Sequence, residues 1–237
     1  MKAMIMAAGR GTRLGKITGS IPKVLVDING KTVLERAAEN CSKYGFDDII
    51  INVHHFAPMV IDEVQRLRTL GYKIEVSDES DSLLDTGGGL FKARHFFDES
   101  PFLLYNADIL TDFDIRNLYD YHLDKEGLAT LAVRNRSGNR FFLTDNEGKL
   151  AGWCNRTTGE RILTGSPSDN LTEIAFSGIH IIDPEIFRFM TDGVYSMTSL
   201  YLRLAPIRSI YTLRWDDGYW FDIGTPENLE KARATVF

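Results

Sequence analysis

Short, continuous apolar runs alternate in the first part of the chain with longer segments whose apolar residues recur every three or four positions. Continuous runs are typical of strands buried on both faces, and the longer period is typical of amphipathic helices. The pattern predicts strands at residues 4–8, 48–53, 72–76, 101–106 and 128–133. Between them it predicts helices at residues 32–44, 58–70, 90–97 and 115–125. This alternation favours an α/β fold with a Rossmann-like, mostly parallel mixed sheet flanked by helices.

The second part of the chain has a less regular pattern. It predicts a hairpin at 141–153, a mobile surface loop at 155–170, a strand at 174–182 and helices from residue 184 and over 198–204. The sequence "YWFDIG" predicts a final strand, and a last helix follows with Thr225 as its N-cap and Pro226 in its first turn. No internal repeat or interdomain linker is apparent, so residues 1–237 are predicted to form a single domain.

The charged residues are mixed and acidic overall, with 27 Lys and Arg against 33 Asp and Glu and a net charge of -6. A general nucleic-acid binder needs a basic face to offset phosphate charge, so this balance argues against a nucleic-acid partner. The N-terminal apolar run is too short for a signal peptide, and no stretch approaches the roughly 18 apolar residues that a membrane span needs. We therefore expect a cytoplasmic protein that binds no membrane. The sequence leaves the oligomeric state open between a monomer and a homodimer.

A glycine-rich and basic segment, "AAGRGTRLGKITGSIPK" at residues 7–23, follows the first predicted strand. It departs from the dinucleotide-binding fingerprint, because Leu14 stands at the third glycine position and further glycines and a proline prevent an immediate helix. The downstream "NGKT" resembles the end of a P-loop, but Leu25 stands where that motif needs glycine. Both phosphate-binding motifs are therefore disfavoured.

The remaining functional interpretation of this segment is a long loop that wraps a triphosphate. Gly9 and Gly11 would let backbone N–H groups approach phosphate oxygens. Arg13 would contact two oxygens through its planar guanidinium, and Lys23 would add a compact positive charge. The competing interpretation is an ordinary surface loop with two solvated cations.

Two aspartates end predicted strands. Asp108 follows "FLLYN" and Asp222 follows "YWF". Ligands bind at the carboxyl edge of parallel sheets, and Mg²⁺ prefers carboxylate and phosphate oxygens, so these two side chains are candidate ligands of one Mg²⁺. The alternative is that Asp108 caps a turn or helix and that Asp222 forms the turn before Gly224.

Five segments, taken in order, resemble sugar-1-phosphate nucleotidyltransferases, which are also called nucleotide-sugar pyrophosphorylases. The segments are "AAGRGTRLGKITGSIPKVLVDINGKTVLE", "LLDTGGGLFKA", "LLYNADILTDFD", "FSGIHIIDPEIF" and "YWFDIGTPENL". Together they cover nearly the whole chain, and they are most similar to the short members of the family, which lack a C-terminal β-helix. The resemblance implies a nucleotide-binding half at about residues 1–134 and a sugar-phosphate-binding half at about residues 135–237.

The resemblance implies a reaction in which a sugar 1-phosphate attacks the α-phosphorus of a nucleoside triphosphate and pyrophosphate leaves. Arg13 would then stabilise the pyrophosphate, and Lys23 would lie between the α-phosphate and the incoming phosphate. Asp108 and Asp222 match the magnesium-binding aspartates of the family. The implied nucleotide-binding residues are Ala8, Gly9, Gly11, Thr12, Glu79, Gly87 and Gly88, and the implied sugar-binding residue is Asn106.

The substrate stays open at the level of sequence. Many relatives hold the sugar phosphate with a Glu-Lys-Pro element, but the comparable region here is "GWCNRTTGER", where Arg156 or Arg161 are possible substitutes. Glu79 would accept a hydrogen bond from uracil or guanine alike. The sequence is most similar to N-acetylmuramate-1-phosphate uridylyltransferases, with mannose- or heptose-1-phosphate guanylyltransferases as the alternative. A choline-phosphate cytidylyltransferase-like enzyme and a non-catalytic nucleotide-sugar sensor are the further alternatives.

Overall fold

A computed structural model of the protein describes residues 1–9, 21–165 and 170–236. The strands are β1 (Lys2–Met6), β2 (Asp27–Ile28), β3 (Lys31–Thr32), β4 (Asp48–Val53), β5 (Lys73–Asp78), β6 (Phe102–Asn106), β7 (Ile109–Thr111), β8 (Ala129–Arg134), β9 (Arg140–Thr144), β10 (Leu150–Asn155), β11 (Glu160–Leu163), β12 (Thr172–Ile182), β13 (Ile210–Arg214) and β14 (Trp220–Asp222). The α-helices are α1 (Val33–Lys43), α2 (Ala57–Thr69), α3 (Asp85–Lys92), α4 (Ile115–Lys125), α5 (Met197–Leu204) and α6 (Pro226–Thr235). Short 3-10 helices occur at Lys23–Leu25, Ala93–Phe96 and Pro184–Phe189.

Ten strands form one mixed sheet, whose main path runs in the order β11, β10, β9, β12, β6, β1, β4, β5. The strands β6, β1, β4 and β5 are parallel neighbours, and β8 and β13 form a further parallel pair. The long strand β12 is antiparallel to β6, β8 and β9, so it joins the parallel part to an antiparallel extension. The α/β fold predicted from the alternating pattern is confirmed.

The central strands are buried on both faces, which explains their continuous apolar sequences. In β1, Ala3 and Ile5 pack into a core with α1, α2 and α4, whereas Met4 packs into a second core with α3 and α5. Adjacent residues of a strand face opposite sides of the sheet, so both sides of β1 require apolar side chains. The sheet is therefore the middle layer between two sets of helices.

Several helices begin where the sequence places a capping side chain. The Thr32 hydroxyl accepts a hydrogen bond from the Glu35 N–H at 3.0 Å, and Thr225 does the same for Asn228 at 3.3 Å. Such caps satisfy backbone donors that lack a partner in the first turn. The predicted start of α6 is confirmed.

Three local predictions differ from the structure. The helix predicted at residues 90–97 begins earlier, because α3 spans Asp85–Lys92 and a 3-10 helix follows it. The segment predicted as a loop at residues 155–170 contains β11, which pairs with β10 although its four side chains are exposed. The helix predicted from residue 184 is a 3-10 helix. Residues 166–169 of the predicted loop lie outside the described residues.

Two small ladders lie beside the main sheet and position the site. Strands β2 and β3 form a hairpin before α1, and β14 pairs antiparallel with β7. Helix α6 packs on both, with Leu229 and Ala232 against Ile28 and Ile223. The described residues contain no β-helix and no helix that is long and apolar enough to cross a membrane.

Candidate active site

The carboxyl ends of β1, β4, β5 and β6 surround a cavity of about 550 Å³, here called the first cavity. Parallel strands place their carboxyl ends at one edge of the sheet, where α/β proteins bind ligands. Six of the residues expected to form the site line this cavity: Ala8, Gly9, Lys23, Glu79, Asn106 and Asp108. The structure thus brings together residues from four segments that are distant in sequence.

Lys23 connects the two candidate metal-binding aspartates. Its side chain is buried, with 6% of the residue exposed, and its Nζ donates to Asp108 Oδ2 at 2.5 Å and to Asp222 Oδ1 at 3.2 Å. The pairing of β7 with β14 creates this proximity, because Ile109 lies opposite Asp222 and the Ile223 N–H donates to the Asp108 carbonyl at 2.9 Å. The two aspartates therefore converge on one cationic group.

The chemistry of the two aspartates fits a divalent cation that arrives with its substrate. No group of three or more His, Cys, Asp or Glu side chains able to hold a metal occurs in the described ranges 1–9, 21–165 and 170–236. Mg²⁺ is usually bound by one or two carboxylates together with substrate phosphates and waters, rather than by an all-protein cage. Asp108 and Asp222 would provide such a partial ligand set, and their role in binding Mg²⁺ stays a prediction.

Glu79 is fixed at the base of the first cavity by Asn52, a residue that the sequence interpretation missed. The Asn52 amide oxygen accepts from the Ala7 N–H at 2.7 Å, so its Nδ2 is directed at Glu79 Oε1, 2.8 Å away. The Leu84 N–H donates to Glu79 Oε2 at 3.3 Å. Only 1% of Glu79 is exposed, and burial raises the pKa of its carboxyl group above the usual range. Glu79 is thus a buried hydrogen-bond acceptor whose orientation is fixed by Asn52 and the Leu84 N–H.

Gly87 and Gly88 lie in the first turns of α3, where a loop of the protein packs against them. A Cβ on Gly87 would lie 2.5 Å from the Tyr195 ring, and one on Gly88 would lie 2.1 Å from the Gly193 carbonyl oxygen. The described residues that line the first cavity include Thr86 and Val194 but neither of these glycines. Close packing by residues 193–195 explains the two glycines, and their nucleotide-binding role stays a prediction.

Three predicted residues of the glycine-rich segment, Gly11, Thr12 and Arg13, lie outside the described residues. Gly9 is the last described residue before them and lines the first cavity. Among the described residues, an added Cβ at Gly9 would meet no atom within 4 Å.

A second cavity, of about 310 Å³, adjoins the first and extends beneath the antiparallel part of the sheet. Both cavities are lined by Asn106 and Asp108, and Asp222 lines the second. The other walls of the second cavity are largely aromatic and basic: Phe141, Phe142, Trp153, Phe176, Trp220, Arg136 and Arg140. Aromatic walls with a few polar groups are typical of small-molecule sites.

The sequence interpretation missed both arginines of the second cavity. Arg136 and Arg140 flank the turn between β8 and β9, and the basic string "RNRSGNR" at a strand end was the signal available. Neither Arg156 nor Arg161 lines the second cavity, although the Arg156 guanidinium lies over the ring of Phe141 in its wall. Arg156 forms an ion pair with Glu173 at 2.8 Å, and Arg161 is exposed on β11.

Comparison with known proteins agrees with this geometry. The nucleotidyl transferase family pattern matches residues 2–236. The chain is 29% identical to an N-acetylmuramate alpha-1-phosphate uridylyltransferase of Neisseria meningitidis, over 99% of the chain and 97% of that protein. It is 31% identical to a UTP–glucose-1-phosphate uridylyltransferase of Synechocystis, over 81% of the chain, and the match spans about half, 52%, of that relative.

Solved structures show the same fold. HddC of Yersinia pseudotuberculosis, crystallised with GMP-PN, superposes with a TM-score of 0.78 and 25% identity, over 98% of both chains. A UDP-glucose pyrophosphorylase in complex with UDP-glucose superposes with a TM-score of 0.76 at 18% identity, which shows a shared fold. The sequence match over nearly the whole chain and the shared architecture lead to one conclusion: the chain belongs to the nucleotidyl transferase family of enzymes.

Proposed function

We propose that the protein transfers a nucleotidyl group from a nucleoside triphosphate to a sugar 1-phosphate. The single observation that carries this proposal is Lys23, buried between Asp108 and Asp222 where the first and second cavities meet. One cavity would hold the nucleotide and the other the sugar, so that their phosphates meet at these three side chains.

The reaction balances without a protein base. An anionic oxygen of the sugar 1-phosphate forms a bond to the α-phosphorus, and the bond to the bridging oxygen of the β-phosphate breaks. Pyrophosphate leaves with that electron pair. Catalysis then consists of positioning and charge neutralisation, for which Lys23 and the predicted Arg13 are suited. Mg²⁺ bound by Asp108 and Asp222 would supply further charge neutralisation.

The first cavity suits the nucleotide. The backbone at Ala8 and Gly9 would approach the nucleotide closely, and the buried Glu79 carboxylate would accept a hydrogen bond from a base N–H. Asn52 holds that carboxylate in one orientation, which supports recognition of a ring N–H, such as the imide N–H of uracil or the lactam N–H of guanine.

For the substrate pair we propose UTP and N-acetylmuramate 1-phosphate. Relatives of this activity in Neisseria and Caulobacter match nearly the whole of the chain and of their own length. In the second cavity, the Arg140 side chain makes no hydrogen bond or ion pair with any described residue. N-acetylmuramate 1-phosphate carries a carboxylate besides its phosphate, and this carboxylate would give Arg140 a charged partner.

Mannose-1-phosphate guanylyltransferase activity is the alternative. It is favoured by relatives such as the guanyltransferase of Candida glabrata, 24% identical over 97% of the chain, although the match covers 63% of that protein. Mannose 1-phosphate has one anionic group and would leave Arg140 without a charged partner. A choline-phosphate substrate lacks a specific observation in its favour.

A pyrophosphate-release screen tests the proposal, with four nucleoside triphosphates crossed against N-acetylmuramate, glucose and mannose 1-phosphates in Mg²⁺. We expect the highest kcat/KM for UTP with N-acetylmuramate 1-phosphate, and near-complete loss of turnover in Asp222→Asn. Faster turnover of GTP with mannose 1-phosphate would favour the alternative. Absence of pyrophosphate release in every combination, with nucleotide binding retained in Asp222→Asn, would indicate a non-catalytic sensor.

A further inference from the structure

Strand β12 carries an irregularity beside the second cavity. Its pairing with β8 shifts register between Phe176 and His180, within the sequence "FSGIH". Gly178 lies there with φ +82°, and an added Cβ would approach Ile109 Cγ1 to 2.7 Å. A bulge of this kind frees backbone groups from the ladder and redirects the strand. The carbonyls of this segment are thus available to side chains.

Two side chains of the cavity wall use these carbonyls. Arg136 Nη2 donates to the Phe176 carbonyl at 3.0 Å, and Trp220 Nε1 donates to the Ser177 carbonyl at 2.9 Å. The Arg136 guanidinium lies over the Trp220 ring, 4.6 Å from its centroid. Contacts from both sides therefore hold the guanidinium against the wall, and little ordering is needed when an anion binds.

Arg136 retains donors beyond these contacts. A guanidinium has five N–H groups, and those of Arg136 make two hydrogen bonds, to the carbonyls of Phe176 and of Ser137 at 3.2 Å. Its Nε is buried and has no hydrogen-bond partner among the described residues. Burial lowers the pKa of Arg136, with the Asp222 carboxylate acting in the opposite direction. Nη1 and Nη2 each carry a second N–H beyond the two hydrogen bonds above, and an anion that accepts from these donors would offset the cost of burying the cation.

The position of Arg136 indicates which anion its guanidinium binds. Arg136 lines the second cavity together with Asn106, Asp108 and Asp222, next to the point where Lys23 bridges the two aspartates. We propose that Arg136 binds the phosphate of the sugar 1-phosphate and positions it for attack. This inference rests on the proposed function, and it assigns the grip on the acceptor phosphate to a residue between β8 and β9.

Substitution of Arg136 tests the assignment, because it should change the KM for the sugar 1-phosphate and not the KM for UTP. We expect Arg136→Gln to raise the KM for the sugar 1-phosphate about 10- to 100-fold, since a charge-assisted contact is lost, with the KM for UTP unchanged. Arg136→Lys keeps the charge but not the planar guanidinium, so its KM for the sugar 1-phosphate should lie between those of the wild type and Arg136→Gln. Arg188→Gln, which removes an exposed arginine of the 3-10 helix Pro184–Phe189, is the matched control and should resemble the wild type.

Calorimetry separates this inference from the proposed function. The wild type should bind N-acetylmuramate 1-phosphate and glucose 1-phosphate more tightly than the unphosphorylated sugars, and Arg136→Gln should lose that preference. Wild-type binding without turnover would refute the proposed function but not the role of Arg136. Unchanged sugar 1-phosphate affinity in Arg136→Gln, or an equal rise of both KM values with a lowered Tm, would refute the role of Arg136.

Discussion

Acidification should destabilise this protein through two buried histidines. His122 on α4 is 2% exposed, with its Nδ1 3.0 Å from Thr130 Oγ1, and His180 on β12 is 4% exposed, with its Nδ1 2.7 Å from the Tyr201 hydroxyl. Burial lowers the pKa of His122 to about 4 and that of His180 to about 3. Each imidazole is therefore neutral in the folded protein at pH values where an exposed one is charged.

The sign and size of the effect follow from linkage. An unfolded histidine has a pKa of about 6.5, so below that pH the unfolded chain binds protons that the folded chain refuses. Stability should fall as the pH drops through about 6.5, and go on falling to about 4 for His122 and about 3 for His180. At about pH 5 each histidine should cost about 2 kcal/mol, or about 4 kcal/mol together, of a typical total of about 5–15 kcal/mol.

Urea unfolding between about pH 7.5 and pH 5 measures this effect. His122→Gln and His180→Gln should each reduce the loss of stability over that interval by about 2 kcal/mol, whatever their stability at neutral pH. His95→Gln, which replaces an exposed histidine, should leave the loss of stability over that pH interval unchanged. Glu79 acts in the opposite direction, because burial raises its pKa and the folded chain takes up that proton first.

One of the two histidines, His180, packs beside the candidate site. The His180 ring packs edge-on against Phe176, which lines the second cavity and accepts from Arg136. Because burial lowers the pKa of His180 to about 3, its ring stays neutral in the folded protein between about pH 7.5 and pH 5, and the contact with Phe176 should persist over that interval. Equal stability of the wild type at about pH 7.5 and pH 5, or an undiminished pH dependence in both glutamine variants, would refute the reasoning.

Two further substitutions test the site and its support. Lys23→Met should lower kcat/KM for pyrophosphate release at least about 100-fold, since it removes a buried charge from the junction of the cavities. Lys31→Met, which breaks an exposed ion pair, should keep wild-type kcat/KM. Equal activity of the two variants would contradict this. Gly88→Ala should destabilise the protein by about 1–3 kcal/mol in urea unfolding, since its Cβ would lie 2.1 Å from the Gly193 carbonyl oxygen. Gly9→Ala, whose Cβ would meet no described residue within 4 Å, should keep wild-type stability. A Gly88→Ala variant as stable as the wild type would contradict the packing argument.

The local sequence predicts the elements in which buried residues follow a regular pattern along the chain. Strands β1, β4, β6 and β8 are covered on both faces, so nearly every residue in them must be apolar, and the pattern is readable without a structure. The exposed strand β11 has no such pattern, and its polar, turn-rich surroundings predict a loop. The sequence does not predict the start of α3, because three successive glycines disfavour a helix. Only tertiary packing explains them: residues 193–195 pack against Gly87 and Gly88, and Glu79 and Asn52 pack against Gly89.

The sequence by itself determined the α/β architecture, the family and the candidacy of Lys23, Asp108 and Asp222, because burial periodicity and motif letters are local properties of the chain. Tertiary structure decided which side chains meet. The pairing of β7 with β14 brings Asp222 to Asp108, and the fold recruits Asn52 to hold Glu79. The bulge in β12 fixes Arg136 at the second cavity. These contacts depend on strand pairing between distant segments, and a single sequence does not record which of its strands will be neighbours.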